Sequence, residues 1–375
     1  VTETKKRIVV KVGSSSLASP QGGCDLAKME SLVTAIGRLR ASGHEVCLVS
    51  SGAVASGYRS LGYQQRPRTL VAKQAAAAIG QSMLMRQYTD LFSKHEQTVA
   101  QILLTRSDFS DQERYRHAFE TLSLLLKRGI LPIINENDTV SVSELTFGDN
   151  DMLGALVAGL VHADLYMMLT DINGLYDKDP RKYRDAQRIP FLTTITTELE
   201  DAAGNASTLG TGGMRSKLNA AQTVQKLGIP CFIGQYTGED GLIQILGGNG
   251  DGTYVSPSIV SDAKSNISTR KQWIALHSPI SGRIYVDSGA AEAILREKRS
   301  LLIAGVKRVD GTFRQGEVIE VFYDQQLIGR GITRHDAELL RTTLYSDHPQ
   351  LMDEVIHRDN WVAFEKLAES YSEVH

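Results

Sequence analysis

Three consecutive stretches near the N-terminus restrict the fold more than anything else in the chain. Arg7-Ile8-Val9-Val10-Lys11-Val12-Gly13 is a short β-branched run stopped by glycine and by Ser14–Ser16, the pattern of a buried strand. From about Asp25 to Ala41, Leu26, Met29, Leu32, Val33, Ile36 and Leu39 recur at helical spacing, and Gly43 ends the helix as a left-handed cap would. A second strand, Glu45–Val49, then runs into Ser50-Ser51-Gly52-Ala53. Strand, helix, strand in this order requires a parallel crossover, with the helix lying on one face of a sheet.

The alternation continues. The periodicity predicts a helix from Ala72 to about Lys94, a strand Thr98–Leu104, a helix Arg116–Lys127 and a strand Leu131–Asn135. A helix to Val161, a strand Leu165–Leu169, a helix to about Leu227 and a closing strand Pro230–Ile233 follow. This is an α/β chain with a mostly parallel central sheet. At 375 residues it exceeds what one hydrophobic core usually supports, so a second, smaller domain is expected. Between Ser256 and Lys271 the sequence becomes Ser, Asn, Asp, Lys and Thr with little apolar periodicity, as linkers do. The expected division is a catalytic domain over 1–262 and a small β-rich domain over 274–375. In the latter, short alternating strands (Gly282–Val286, Glu317–Phe322, Leu327–Ile332) meet turns at Asp310-Gly311 and Gln315-Gly316, with one helix, Ser288–Glu297.

Composition excludes several classes. Hydrophobic residues at 42% and charged residues at 22% exclude a disordered or collagen-like chain. The longest apolar run, Met152–Ala163, is interrupted by His162 and closed by Asp164, too short to span a bilayer. Val1–Arg7 is polar and passes straight into a strand, unlike a secretory signal. Cys24, Cys47 and Cys231 are odd in number and far apart, which suits reduced packing thiols. The cytoplasm is the expected compartment.

In open parallel sheets, ligands collect at the carboxyl ends of the strands. Lys11 and Gly13 end the first strand, Ser51 and Gly52 the second, Asn135, Asn137 and Asp138 follow another, and Asp171 ends another. A lone lysine in an apolar strand could simply snorkel to water from an edge. Beside Gly13 and three serines, a phosphate-binding turn is the better reading. Phe147-Gly148-Asp149-Asn150-Asp151-Met152-Leu153 places two carboxylates and a carboxamide where a helix begins. Ordinary capping explains such residues when they stand alone. Thr211-Gly212-Gly213-Met214-Arg215-Ser216-Lys217 opens a later helix, with glycines that let a backbone approach an anion and free N–H groups facing it. A plain flexible loop is the competing reading, and the glycine spacing is not that of a Walker sequence. Two lysines, two glycine turns and several carboxylates at strand ends together point to phosphoryl transfer from a nucleotide.

The segments KVGSSSL, SSGAVASG, INENDTV, FGDNDMLGALVA, MLTDINGLYDKDPR and GTGGMRSK resemble, in order, the motifs of the amino-acid kinase family, and specifically its branch acting on the side-chain carboxylate of glutamate. The tail, Gly305-Val306-Lys307 through Gly311-Thr312-Phe313 and Gly316-Glu317-Val318, resembles the PUA domain that many bacterial members carry. The resemblance covers essentially the whole chain. It implies an αβα sandwich with a PUA-like tail, and the conversion of ATP and L-glutamate to L-glutamyl 5-phosphate and ADP with Mg2+, the first step of proline synthesis. It also implies inhibition by proline and a homo-oligomer. By similarity, Lys11 and Lys217 hold the phosphates and the transferring group, and Asp151 orients both lysines. Ser51, Asp138, Asp149 and Asn150 bind glutamate. Thr170, Asp171 and the Thr211, Gly212, Gly213, Met214, Arg215, Ser216, Lys217 loop, with Lys11, hold ATP; the metal ligands are not assigned, because magnesium is held mainly by phosphate oxygens and water.

The chemistry agrees with this independently. An attacking carboxylate, with a reference pKa of about 4.3, is ionised at neutral pH and needs no general base. The requirement is alignment and charge neutralisation. PUA domains often bind RNA, yet residues 275–375 hold 12 Lys and Arg against 16 Asp and Glu. An acidic module is a poor phosphate binder, so a structural or regulatory role is expected instead of RNA binding. The rival readings are an acid kinase of the same fold acting on acetylglutamate or aspartate, and a nucleotide- or RNA-binding regulator without turnover.

Overall fold

The computed structural model describes residues 4–19, 23–141, 150–178, 180, 183–196, 199, 213–256, 271, 273–274, 278–344 and 354–364. Asp149, Thr211 and Gly212, and all but the ends of the 256–271 stretch, lie outside them. Contacts divide the chain into two units, one of Val1–Asp108 with His117–Lys264 and the other of Phe109–Arg116 with Ser265–His375.

The larger unit begins with β1 (Arg7–Val12), a single-turn α1 (Ser14–Leu17), α2 (Leu26–Ala41) and β2 (Glu45–Ser50). Asp25 caps α2, its Oδ1 accepting from the N–H groups of Ala27 and Lys28, a cap that contributes about 1 kcal/mol. α3 (Ala53–Gly57) and α4 (Leu70–Ser93) lead to β3 (Val99–Leu104). Next along the chain come α5 (Arg106–Ser110) and α6 (Gln112–Lys127), whose Phe109–Arg116 part groups with the other unit, then β4 (Leu131–Glu136), α7 (Asn150–Leu160) and β5 (Leu165–Leu169). Three two-residue strands follow, β6 (Leu175–Tyr176), β7 (Arg188–Ile189) and β8 (Phe191–Leu192). α8 (Met214–Lys226), β9 (Cys231–Gln235), α9 (Gly241–Leu246) and β10 (Asp251–Val255) complete the unit.

The central sheet has the order β3-β4-β2-β1-β5-β9-β10-β8. From β3 through β9 every pairing is parallel, as the crossovers require. The pattern does not close at Ile233 as the sequence predicts: β10 runs antiparallel to β9, and β8 joins it at the edge. β10 opens with Asp251-Gly252, which reads as a turn, so its pairing is set by the sheet edge and not by local preference. The polar excursion after Asp171 contains the β6–β7 hairpin. Leu26, counted in the apolar stripe of α2, is exposed, because it stands at the first helical position, ahead of the buried face.

β1 sits between β2 and β5, and five of its six residues are buried. Ile8, Val10 and Val12 share a core with Met29, Leu32 and Ile36 of α2 and with Leu84, Tyr88 and Phe92 of α4. Full burial of each such side chain stabilises by about 1.5–3 kcal/mol. Successive strand residues point to opposite faces, so Lys11 emerges on the other side of the sheet from Val10 and Val12. That side carries α7.

The smaller unit holds a second sheet, built from β11 (Ile280–Val286), β12 (Leu301–Leu302), β13 (Val306–Gly311), β14 (Val318–Tyr323), β15 (Gln326–Thr333) and β16 (Glu354–Ala363). Its order is β12-β16-β15-β14-β11-β13. Two helices accompany it, α10 (Ser288–Leu295) and α11 (Ala337–Leu344), where the sequence reading expects one. Ile284, Val286, Val309, Ile319, Val321, Ile328, Leu340 and Trp361 form its own core. On the sheet's outer side Tyr285 stacks on Phe322 at 5.4 Å, and the Arg308 guanidinium lies 3.8 Å from the Tyr285 ring. The arginines there face carboxylates: Arg308 with Asp310 at 2.9 Å, and Arg330 and Arg283 with Glu320 at 3.1 and 3.5 Å.

Candidate active site

Three chain segments converge at the carboxyl edge of the larger sheet. Asp151, in the first turn of α7, is fully buried, and the helix N-terminus favours its negative charge. Its Oδ1 lies 2.5 Å from Lys11 Nζ and its Oδ2 accepts from Lys217 Nζ at 2.8 Å. Ser216 Oγ donates to the same Oδ2 at 2.9 Å. Lys11 and Lys217 are themselves 1% and 7% exposed. One carboxylate is thus shared by two buried ammonium groups, which leaves a surplus positive charge among the three. Burying charge on this scale is costly, and an anion bound beside the two ammoniums would offset that cost. Phosphate oxygens supply that chemistry.

β1 brings Lys11 to the edge, and the turn after it adds hydroxyls. A Cβ placed at Gly13 would sit 3.5 Å from Lys11 Nζ and 3.8 Å from Ser15 Oγ, so the turn lies directly beside both groups. Gly213 is the N-cap of α8, which carries Met214, Arg215, Ser216 and Lys217 in its first turn. The rest of that proposed loop, Thr211 and Gly212, lies outside the described residues.

Asn150, the first residue of α7, faces the other way, toward β2 and β4. Its Nδ2 faces three acceptors, Ser51 Oγ at 2.7 Å, Asn135 Oδ1 at 2.9 Å and the Ser50 carbonyl at 3.2 Å, which share its two protons. Asn135 Nδ2 in turn donates to Gln81 Oε1 of α4 at 2.8 Å. Ser51 and Asn150, both assigned to the glutamate side by resemblance, therefore touch. Asp138 stands in the turn just after β4. Burial, and then the nearby Glu136 carboxylate, push it up to about 6, while Arg66 acts in the opposite direction. A half-buried carboxylate held near neutrality is a natural receptor for a substrate ammonium, whose arrival removes the strain. The turn is held by Ser141, which donates to Glu136 Oε1 at 2.7 Å and accepts at its carbonyl from Gln74 Nε2 at 3.1 Å.

Thr170 and Asp171 end β5. The Thr170 N–H donates to the Gly234 carbonyl at 2.9 Å, and Gln235 Nε2 donates to the Asp171 carbonyl at 2.6 Å. They line a cavity of about 610 Å3 together with Ser15, Ser16, Lys28 and Tyr236. It opens where β1 and β5 meet, the point from which successive crossovers leave in opposite directions, and it adjoins the turn after Lys11. Among the described residues no three His, Cys, Asp or Glu side chains are grouped as a metal cage.

Asp149 lies outside the described residues. Two residues escape sequence reasoning altogether. Gln81 looks like an ordinary polar position in an alanine-rich helix. Tyr166, buried in β5, donates its hydroxyl to the backbone carbonyl of Asp151 at 2.7 Å. A tyrosine inside an apolar strand was its one visible signal, since a buried phenol needs a partner.

Comparison with known proteins bears on the arrangement. The family model for the Amino acid kinase family matches residues 6–235, and that for the PUA domain matches residues 282–344. Glutamate 5-kinase of Bacillus cereus (strain ATCC 10987 / NRS 248) is 52% identical over 368 residues, covering 96% of this chain and 99% of that protein. Glutamate 5-kinase 1 of Bacillus subtilis (strain 168) is 52% identical over 363 residues, covering 96% and 98%. Among solved structures, carbamate kinase from Giardia lamblia bound to AMP-PNP aligns with a TM-score of 0.51 at 15% identity, covering 69% of this chain and all of that one. That last likeness speaks to fold alone.

Proposed function

The chain belongs to the amino acid kinase family, in the line of glutamate 5-kinases with a PUA domain, and from that premise we propose that it transfers the γ-phosphoryl group of ATP to the side-chain carboxylate of L-glutamate. The observation that carries the reading is the buried Lys11–Asp151–Lys217 cluster with its surplus positive charge. A phosphoryl group in flight spreads negative charge over its oxygens, and preformed cations in a water-poor site stabilise that charge without reorganising. Asp151 holds the two lysines apart and aimed. The attacking carboxylate is already ionised, so no proton has to be removed.

Ser51, Asn150 and Asp138, with Asp149, form the glutamate side of the site in this proposal. Thr170, Asp171 and the loop from Thr211 to Lys217 form the nucleotide side. Magnesium, when bound, would neutralise phosphate oxygens. The catalytic domain spans 1–262 and the PUA-like domain 274–375. Paired arginines and an acidic balance in the second domain support a structural or regulatory role over RNA binding. Proline as feedback inhibitor, a homo-oligomeric assembly and a place at the first step of proline synthesis belong to the same proposal. So does work in the cytoplasm, with which three free thiols agree and in which no described helix is long and apolar enough to cross a membrane.

Trapping the acyl phosphate with hydroxylamine tests the reaction. Glutamate, acetylglutamate and aspartate are offered in parallel with MgATP, and ADP release is followed alongside. Glutamyl hydroxamate in clear excess over the other two is expected; equal or greater yield from either competitor would reassign the substrate.

A further inference from the structure

The buried amide network beneath the proposed glutamate site has a polarity that can be deduced, because backbone groups fix both of its ends. The Glu136 N–H, which can only donate, points at one atom of the Asn135 side chain at 2.9 Å. That atom must be the oxygen. The Asn135 amino group is therefore the one facing Gln81, and Gln81 must present Oε1 to it at 2.8 Å. At the other end the Ser50 carbonyl, which can only accept, lies 3.2 Å from the Asn150 side chain. Together with Asn135 Oδ1 at 2.9 Å, this makes the inward group of Asn150 its Nδ2. Two consequences follow. Asn150 Oδ1 is left as an acceptor with no hydrogen-bond partner among the described residues. Ser51 Oγ lies 2.7 Å from the same amino group, which offers no acceptor, so the Ser51 proton points elsewhere and is available to donate outward.

The structure assigns Gln81 as a positioning residue: by accepting from the Asn135 amino group it holds Asn135, and through Asn135 it holds Asn150, in the place where Asn150 Oδ1 accepts from the substrate ammonium and Ser51 donates to a substrate carboxylate. The assignment rests on the glutamate reading above and deepens it. Gln81 is held against Asn135 by an unusually close helix contact. A Cβ built on Gly80 would lie 1.8 Å from the Ala53 carbonyl oxygen, and one built on Gly57 would lie 2.0 Å from the Ala76 carbonyl oxygen. Only paired glycines let α3 and α4 approach so near, and Gln81 is the next residue along α4. Gln81, Asn135 and Asn150 are all at least nine-tenths buried, so bulk water does not supply the missing acceptor if Gln81 is removed. Asn135 would then keep its bond from the Glu136 N–H but lose the partner of its amino group, so the pair it forms with Asn150 would be held in place less firmly.

The test compares L-glutamate with glutarate, which keeps both carboxylates and lacks the ammonium. Gln81→Met and Gln81→Leu remove the acceptor with two different side-chain shapes, so that a packing failure in one leaves the other to be read. Gln81→Glu keeps an acceptor toward Asn135. In the apolar variants the glutamate KM is expected to rise roughly tenfold, the scale of one buried polar group left unmatched. The ATP KM should stay within about twofold, and the preference for glutamate over glutarate in kcat/KM should fall by roughly the same factor of ten. Gln81→Glu should restore both the KM and the preference. Equal losses on the two acids, or an unaltered preference in both apolar variants, would overturn the assignment and leave Gln81 a packing residue. No hydroxamate from glutamate with the unsubstituted enzyme would instead overturn the substrate reading, and the proposal with it.

Discussion

Asp151 and its two lysines respond differently to removal, and the difference follows from counting charges. Lys11→Ala or Lys217→Ala leaves Asp151 with one ammonium, a neutral buried pair, so each variant should fold while turnover drops by about a hundredfold or more. Asp151→Asn takes from two buried ammoniums the carboxylate they share, and breaking a buried ion pair in this way costs about 3–5 kcal/mol. Thermal melts should therefore rank Asp151→Asn well below both lysine variants, and added ATP should recover part of its loss. Equal melting temperatures would mean that the two lysines are not held against one another. Asp138 gives a pH signature. Its carboxyl is pushed from the ordinary 3.8 up to about 6 by burial and Glu136. Below about pH 6 it becomes neutral in the free enzyme and loses its pull on an ammonium. The glutamate kcat/KM should thus fall about tenfold per pH unit on the acid side, while Asp138→Asn has a high glutamate KM and a flat profile there. The sign for stability is opposite. The folded state holds this proton more tightly than the unfolded chain, so the group's contribution is fully present below about pH 4 and is lost as pH rises through about 6. At pH 7, Asp138→Asn should melt higher than the parent while binding glutamate worse.

At the level of elements, α7 is the hinge between sequence and site. A Cβ added at Gly154 would meet the Tyr166 hydroxyl at 2.3 Å and its ring at 2.8 Å, so Gly154→Ala must displace the tyrosine that holds the Asp151 carbonyl. Turnover is expected to fall at least tenfold. Tyr166→Phe alone loses one hydrogen bond, about 1 kcal/mol, and the double variant should be less impaired than Gly154→Ala because the closest atom is gone. If the double variant is no better, the contact is not what positions α7. Neither Gly154 nor Tyr166 stands out in the sequence. What the sequence does carry is the alternation of long periodic helices with buried β-branched runs, which places β1 through β5 and the strand ends where Lys11, Ser51, Asp138 and Asp171 sit. The β6–β7 hairpin, β8 and β10 were not legible, because strands this short or this polar take their shape from neighbours across the sheet and not from their own residues. α11 carries two threonines among its eight residues, where α10, of the same length and legible, is rich in alanine, a much stronger helix former. The Gln81–Asn135 contact joins residues 54 apart in sequence, each unremarkable where it stands.

Over the whole molecule, each unit has a hydrophobic core of its own, one around β1, α2 and α4 and the other around β11, β14 and β15. Two-state unfolding is a property of single cores, so a chain with two should melt in two steps by calorimetry. Every residue proposed to bind ATP or glutamate precedes the 256–271 stretch, which makes the ligand effect selective. A ligand present at a hundred times its Kd stabilises the fold that binds it by about 2.7 kcal/mol. For a domain of this size that corresponds to a rise of roughly 5–10 °C. MgATP with glutamate should move the transition of the larger unit upward by about that amount and leave the other in place. Lys217→Ala should weaken the ATP-dependent part of the shift, while Asp138→Asn should weaken the glutamate-dependent part. A single transition, or two that move together, would show instead that the second domain's core is thermodynamically part of the binding unit, and its role would then have to be sought in the stability of the active site itself.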